Sequence, residues 1–323
     1  MNARQRFLET LCGGKPDRPP LFEEGIRDEV LELWRQQGLP SGTNLQDIFH
    51  YDSFDEIDPD IYPQPDISDW SDKPAVLRLL LRRLDPDDPD RLPDDWDYQV
   101  KTWKNRDYPL FLRIHQGLLL SLGVDGWHRF SDAVLLLKDD PVFVREVLAI
   151  QADFAARFAE RILRQVDVDA VIFSEPIAGA SGPLVSPRMY RDFALQSYAP
   201  VFDVIKRHSV PVLIWRSYAN PGVLIQAAAS SGFNAAWICE TEGEVSYPSL
   251  RRAIPKLGLI GGIDTGVLHL GQDEMRKAIE AILPLVEQGG FIPLLNGRVR
   301  EDVTYQAYTD YRNLLEALLL YRA

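Results

Sequence analysis

The chain has 323 residues, 46% of them hydrophobic, enough to bury a substantial core in one large domain. Its formal net charge of −13 gathers mostly before residue 100, in runs such as DPDDPDRLPDDWD (85–97) that read as solvated loop, and it excludes a general nucleic-acid binder. Two distant cysteines, Cys12 and Cys239, with no CxxC pair exclude a disulfide framework and a zinc knuckle, and they fit a reducing, cytoplasmic setting.

The opening MNARQRFLETLCGG is amphipathic and has no apolar signal core, and no later apolar stretch approaches a membrane span, so a soluble protein is expected. Short apolar runs then alternate with segments of helical period, the pattern of βα units. Eight strands are predicted: PLFEE (20–24), DIFHY (47–51), PLFLRIH (109–115), DAVIFSE (169–175), PVLIWRS (211–217), NAAWICE (234–240), LGLIGG (257–262) and GFIPLLN (290–296). Long helical stretches run over 186–208, opening at a Ser-Pro pair suited to an N-cap and first turn, and over 271–288. Eight strands buried on both faces favour a closed (β/α)8 TIM barrel as one domain over 1–323. No G-x-G-x-x-G follows the first strand, which counts against a dinucleotide fold. Residues 53–107 break the rhythm and read as an insertion after the second strand. PDIYPQPDISDW opens that insertion, and WDYQVKTWKN forms a hairpin bearing Trp96 and Trp103; the whole is either a lid or a surface elaboration.

In a barrel the carboxyl ends of the strands share one mouth, and polar residues recur at those ends here. Glu23 and Glu24 close the first strand, Asp52 follows the second, His115 closes the third and Glu175 the fourth. Arg216 and Ser217 close the fifth with Tyr218 just past it, Glu240 closes the sixth, Asp264 follows the seventh, and Asn296 and Arg298 follow the eighth. Asp264 before Thr265 is read as a helix cap. The set points to a polar ligand. Asp52 and Glu175 are the acid/base candidates, Arg216 and Arg298 the anion contacts, and Tyr218 part of the wall with Trp215, although an aromatic on an apolar strand is more often core.

Four segments, in order, resemble the uroporphyrinogen decarboxylase superfamily, which includes corrinoid methyltransferases. They are RQRFLETLCGGKPDRPPLFE (4–23), FSEPIAGASGPLVSPRMYRDF (173–193), LIGGIDTGVLHLG (259–271) and GGFIPLLNGRVREDVTYQAYTDYRNLLE (289–316). The resemblance implies a (β/α)8 barrel with a cleft at its mouth, and Asp52 as counterpart of the family's catalytic aspartate. Family decarboxylases hold substrate carboxylates with an Arg-Gln-Ala-Gly-Arg-Tyr-like stretch. Here FEEGIRDEV (22–30) keeps only Arg27, and Glu23 and Glu24 would repel an octa-anionic porphyrinogen. The family's zinc methyltransferases use His-x-Cys and a final Cys, where this chain has Trp215, Ser217 and Asn296-Gly297. A ligand set of His115, Glu175, Cys239 and Glu240 can be drawn, but a buried thiol packs more readily as a small hydrophobe. No metal and no cofactor are therefore expected.

The resemblance thus implies metal-independent decarboxylation of a carboxylated tetrapyrrole-like or smaller substrate other than uroporphyrinogen. The alternatives are corrinoid-dependent methyl transfer without the zinc site, and a non-catalytic barrel that binds such a ligand or docks a corrinoid protein. A homodimer is expected from relatives that pair.

Overall fold

The computed structural model describes residues 1–61, 70–124, 126–241 and 245–320. Most of the predicted PDIYPQPDISDW stretch lies outside them. The chain divides into two compact units, residues 55–234 and residues 1–54 with 235–323.

In the unit of residues 55–234, four parallel strands lie in the order β1 (Asp55–Ile57), β2 (Leu110–His115), β3 (Ala170–Glu175) and β6 (Val212–Tyr218). Between the last two, Ala178–Gly179 (β4) and Gly182–Pro183 (β5) make a small antiparallel ribbon. Helix Pro141–Leu163 runs between β2 and β3; Asp140 caps it by accepting from Phe143 N–H, and it buries a long Phe, Val and Ala stripe. The Ser-Pro pair caps as expected, with Ser186 Oγ accepting from Met189 N–H. The helix it starts is interrupted, however: Tyr190–Leu195 is π-helical before Ala199–Arg207 resumes the α form.

The unit of residues 1–54 and 235–323 holds three parallel strands, β7 (Ala235–Cys239), β8 (Gly258–Ile263) and β9 (Phe291–Leu295), in sequence order. Every residue of β7 and β9 is buried. Helix Gln272–Gln288 crosses between β8 and β9, and Tyr305–Leu320 follows. The protein is thus a mixed α/β fold with parallel strands.

Six of the eight expected strands are present, and two are not. Residues 20–24 form no ladder because Pro19 and Pro20 have no N–H to donate, and the N–H of Leu21 goes to the Asp52 carboxylate. Residues 47–51 overlap a 3-10 turn, Leu45–Asp47, capped by Asn44. Segment 53–107 therefore does not follow a second strand; it supplies β1 itself, hydrogen-bonded beside β2. WDYQVKTWKN is no hairpin but a helix, Trp96–Trp103. Its two tryptophans pack edge to face and are buried, with indole N–H groups bound to Gln165 and Asp55. Two tryptophans seven apart, with Val100 between them, share one helical face, and burial of that face chose the helix. No described helix is long and apolar enough to cross a membrane.

Candidate active site

Successive side chains of a strand point to opposite faces, so residues at one strand end do not share one surroundings. In the 55–234 unit, β3 and β6 pair Ser174 with Arg216 and Glu175 with Ser217. Glu175, Ser217 and His115 face the helices. Glu175 is fully buried; its Oε1 accepts from Leu118 N–H at 2.8 Å and its Oε2 from Tyr190 and Tyr198 hydroxyls at 3.1 and 2.5 Å. Burial pushes its carboxyl up to about 7, against the pull of those three donors. Ser217 donates to the Glu175 carbonyl at 2.9 Å. His115 stacks on Phe173, 5.3 Å between centroids, and burial holds it neutral, with a pKa down at about 3. Gly117, at φ 84°, permits the close turn, since a Cβ there would stand 2.5 Å from Glu175 Oε1.

Arg216 and Tyr218 occupy the other face. The guanidinium lies 5.7 Å from the Tyr218 ring centroid, and Tyr218 Oη is 3.5 Å from Ser174 Oγ. Arg113 on β2 joins this face and pairs with Glu56 at 2.8 Å and Asp58 at 3.0 Å. Alternation thus splits the strand-end residues of this unit into a helix-facing group and an ionic group.

In the 1–54/235–323 unit, Asp52 is buried between two arginines: Arg6 Nη1 reaches Oδ1 at 2.5 Å and Arg18 Nη1 reaches Oδ2 at 2.6 Å. Leu21 N–H also donates to Oδ2 at 2.7 Å. Glu23 is likewise held, by Arg312 at 2.7 Å and Tyr311 at 2.9 Å, while Arg312 also binds the His50 carbonyl and covers the Tyr51 ring. Glu24 accepts a long contact from Cys239 Sγ at 3.8 Å, and Arg27 is exposed, 3.8 Å from Glu29.

Glu240, Asn296 and Arg298 come together. With Asp264, Thr265, His269, Arg300 and Asp302 they line a cleft of 270 Å3 at the carboxyl ends of β7, β8 and β9. Asn296 ties those ends: its Nδ2 donates to Thr241 Oγ1 at 2.6 Å, its Oδ1 accepts from Thr265 N–H at 3.0 Å, and its own N–H donates to the Ile263 carbonyl at 2.7 Å. Glu240 donates its N–H to the Asn296 carbonyl and sits at φ 50°, a left-handed conformation unfavourable for a side chain with a Cβ. Its carboxylate is exposed, 3.6 Å from Arg300. His269 Nε2 lies 3.4 Å from Asp302, and Asp264 caps its turn through Gly266 N–H at 2.9 Å, as the sequence implied. Arg298 is exposed at the rim. Sequence reasoning missed His269, Arg300 and Asp302, although each lies within a few residues of a recognised strand end.

Parallel strands with polar groups collected at their carboxyl ends define the class as α/β proteins that place ligands at strand ends. The sequence profile of uroporphyrinogen decarboxylase (URO-D) matches residues 122–295, and the chain belongs to that family. It is 23% identical over 167 residues to the uroporphyrinogen decarboxylase of Hydrogenovibrio crunogenus, a match spanning 50% of this chain and 44% of that protein. A methyltransferase from Methanosarcina mazei has a similar fold, with a TM-score of 0.64 at 13% identity, covering 98% of this chain and 99% of that one.

Proposed function

We propose that the protein is a metal-independent decarboxylase of the uroporphyrinogen decarboxylase family, built on the family's (β/α)8 frame and acting on a small carboxylated substrate. The observation that supports this most is the cleft of 270 Å3, where Arg298 stands beside Glu240, Asp264 and His269. Pockets for drug-sized ligands run from about 300 to 1,000 Å3, so this cleft suits a molecule smaller than a tetrapyrrole. Arg298 receives a substrate carboxylate without breaking any ion pair to the described residues. As the C–C bond breaks, the electron pair stays on the neighbouring carbon and CO2 leaves. That carbon then takes a proton, for which Glu240 and His269 are the candidate donors. Arg300 restrains Glu240, and Asn296 fixes the loops that hold both. Asp52 anchors the N-terminal segment in this reading, and Glu175 acts within its own buried cluster. Arg216 and Tyr218 remain a further proposed anion contact.

Methyl transfer is the second reading, favoured by the full-length likeness to the Methanosarcina methyltransferase. The two separate by ligand. Pyrrole-2-acetate and malonate should raise the melting temperature and, for the true substrate class, release CO2. Arg298→Ala should lose the stabilisation while melting normally without ligand. Stabilisation by methylcobalamin alone, untouched by Arg298→Ala, would replace decarboxylation with methyl transfer.

A further inference from the structure

Glu175 takes no part in the chemistry proposed above, yet it is a fully buried carboxyl surrounded by hydrogen-bond donors. Its Oε1 is bound by Leu118 N–H, from the turn after β2. Its Oε2 is bound by two tyrosines, Tyr190 at the start of the π-helical segment and Tyr198 just beyond it. The Tyr190 hydroxyl accepts in turn from Trp215 Nε1 at 2.7 Å, and the Glu175 carbonyl accepts from Ser217 Oγ at 2.9 Å. Glu175 therefore joins three parts of the unit: its carboxylate holds the turn at Leu118 and the π-helical segment, and the end of β6 is tied through Tyr190 and the Glu175 backbone carbonyl.

The charged and titratable groups around it are few. From β2 comes His115, whose ring centroid lies 4.5 Å from that of Tyr198 and whose Nδ1 accepts from Gly117 N–H at 2.9 Å, so it is a neutral imidazole. From the helical side come Tyr190 and Tyr198, both with hydroxyls held well above the ordinary range by burial. From β6 come only Trp215 and Ser217 among the groups that touch this cluster. Burial and the three hydrogen bonds, with no ion pair among the described residues, set the proton affinity of Glu175.

An ionised carboxylate suits three donors. A protonated one does not, because its own O–H needs an acceptor and the hydroxyls bonded to Oε2, those of Tyr190 and Tyr198, are already donating to it. Proton uptake at Oε2 turns one tyrosine hydroxyl from donor to acceptor and breaks the hydrogen bond it gave to the carboxylate. A π-helical turn is a local departure from regular α-helix, and such turns concentrate at functional positions.

We propose that Glu175 is a proton-operated latch: ionised, it clamps the π-helical segment 190–195 and the Leu118 turn to the ends of β3 and β6, and on taking up a proton it releases one tyrosine and loosens that clamp. The carboxyl's rise to about 7 puts the change in the neutral range. The strand end it governs carries Arg216 and Tyr218 on its opposite face, so the latch conveys proton concentration to the presentation of those two side chains. It does not depend on the decarboxylase reading.

Trp215 reports the state directly, because its indole N–H ends the same chain of hydrogen bonds. The chain has seven tryptophans, so the signal is the emission difference between the wild-type protein and Trp215→Phe. Across about pH 5.5 to 8.5 that difference should follow a single-proton curve centred near neutrality. Glu175→Gln, compared with its own Trp215→Phe background, should abolish the curve. Tyr198→Phe removes a donor that favours the ionised form and should move the midpoint up by about one pH unit. It keeps the test decisive should Glu175→Gln not fold. A flat difference signal in the wild type, a curve that survives Glu175→Gln, or a midpoint unmoved by Tyr198→Phe would each overturn the proposal.

Discussion

Replacing Asp52 by alanine separates an anchoring carboxylate from a catalytic one. The side chain is 4% exposed and both oxygens are occupied, by Arg6 at 2.5 Å, Arg18 at 2.6 Å and Leu21 N–H at 2.7 Å. Removing one partner of a buried ion pair costs about 3–5 kcal/mol, because the charge left behind stays desolvated. Two features place this case low in that range: Arg6 keeps Asp17 at 2.7 Å, and Arg18 is 20% exposed and can reach water. Leu21, fully buried, then has an N–H without an acceptor, which adds about 1 kcal/mol or more. The expected total is about 4 kcal/mol. With an unfolding entropy of about 2.1 cal/mol/K per residue, a chain of 323 residues melting as one loses about 6 °C. If the unit holding residues 1–54 and 235–323 melts by itself, the drop is more than twice as large. Asp52→Asn, which keeps an acceptor for Leu21, should lose roughly half as much. Differential scanning calorimetry of the three proteins measures this. A variant that melts within about 1 °C of the wild type but has lost ligand turnover would refute the anchoring argument and return Asp52 to the chemistry.

The pH dependence of stability should carry the signature of Glu175. Its folded carboxyl sits at about 7 against an ordinary 4.5, so the global contribution is fully present below pH 4.5 and is lost as pH rises through 7. Desolvation of the ionised form outweighs its three hydrogen bonds, which tighten only the local clamp on Leu118 and the π-helical segment. The loss amounts to about 3 kcal/mol, read as the difference in urea denaturation free energy between wild type and Glu175→Gln across that window. A difference that does not vary with pH would contradict it. Arg312→Met should destabilise by about 3–5 kcal/mol by leaving Glu23 buried and unpaired, while Glu23→Gln with Arg312→Met should recover most of that. If the double variant is no more stable than the single one, Arg312 acts through its contacts with the His50 carbonyl and Tyr51 ring instead.

The six strands from 109 onward were legible because each is an apolar, β-branched or aromatic run bounded by turn residues, and burial on both faces rewards that composition wherever it occurs. The two N-terminal runs had the same composition but not the same fate. Proline removed ladder donors from one, and Leu21 found its acceptor in a carboxylate distant in sequence. The three-residue β1 carries too little pattern to be seen. For the site, the sequence determined that polar residues stand at strand ends, and it named Glu240, Asn296 and Arg298, which the structure gathers into one cleft. It could not say which side of the sheet each residue faces, since one step along a strand reverses the side chain, nor which carboxylates an arginine from another segment would capture. Glu175 went to the helices, Asp52 and Glu23 to buried arginines, and Glu240 to an exposed left-handed turn because only tertiary packing sets register, face and long-range partner.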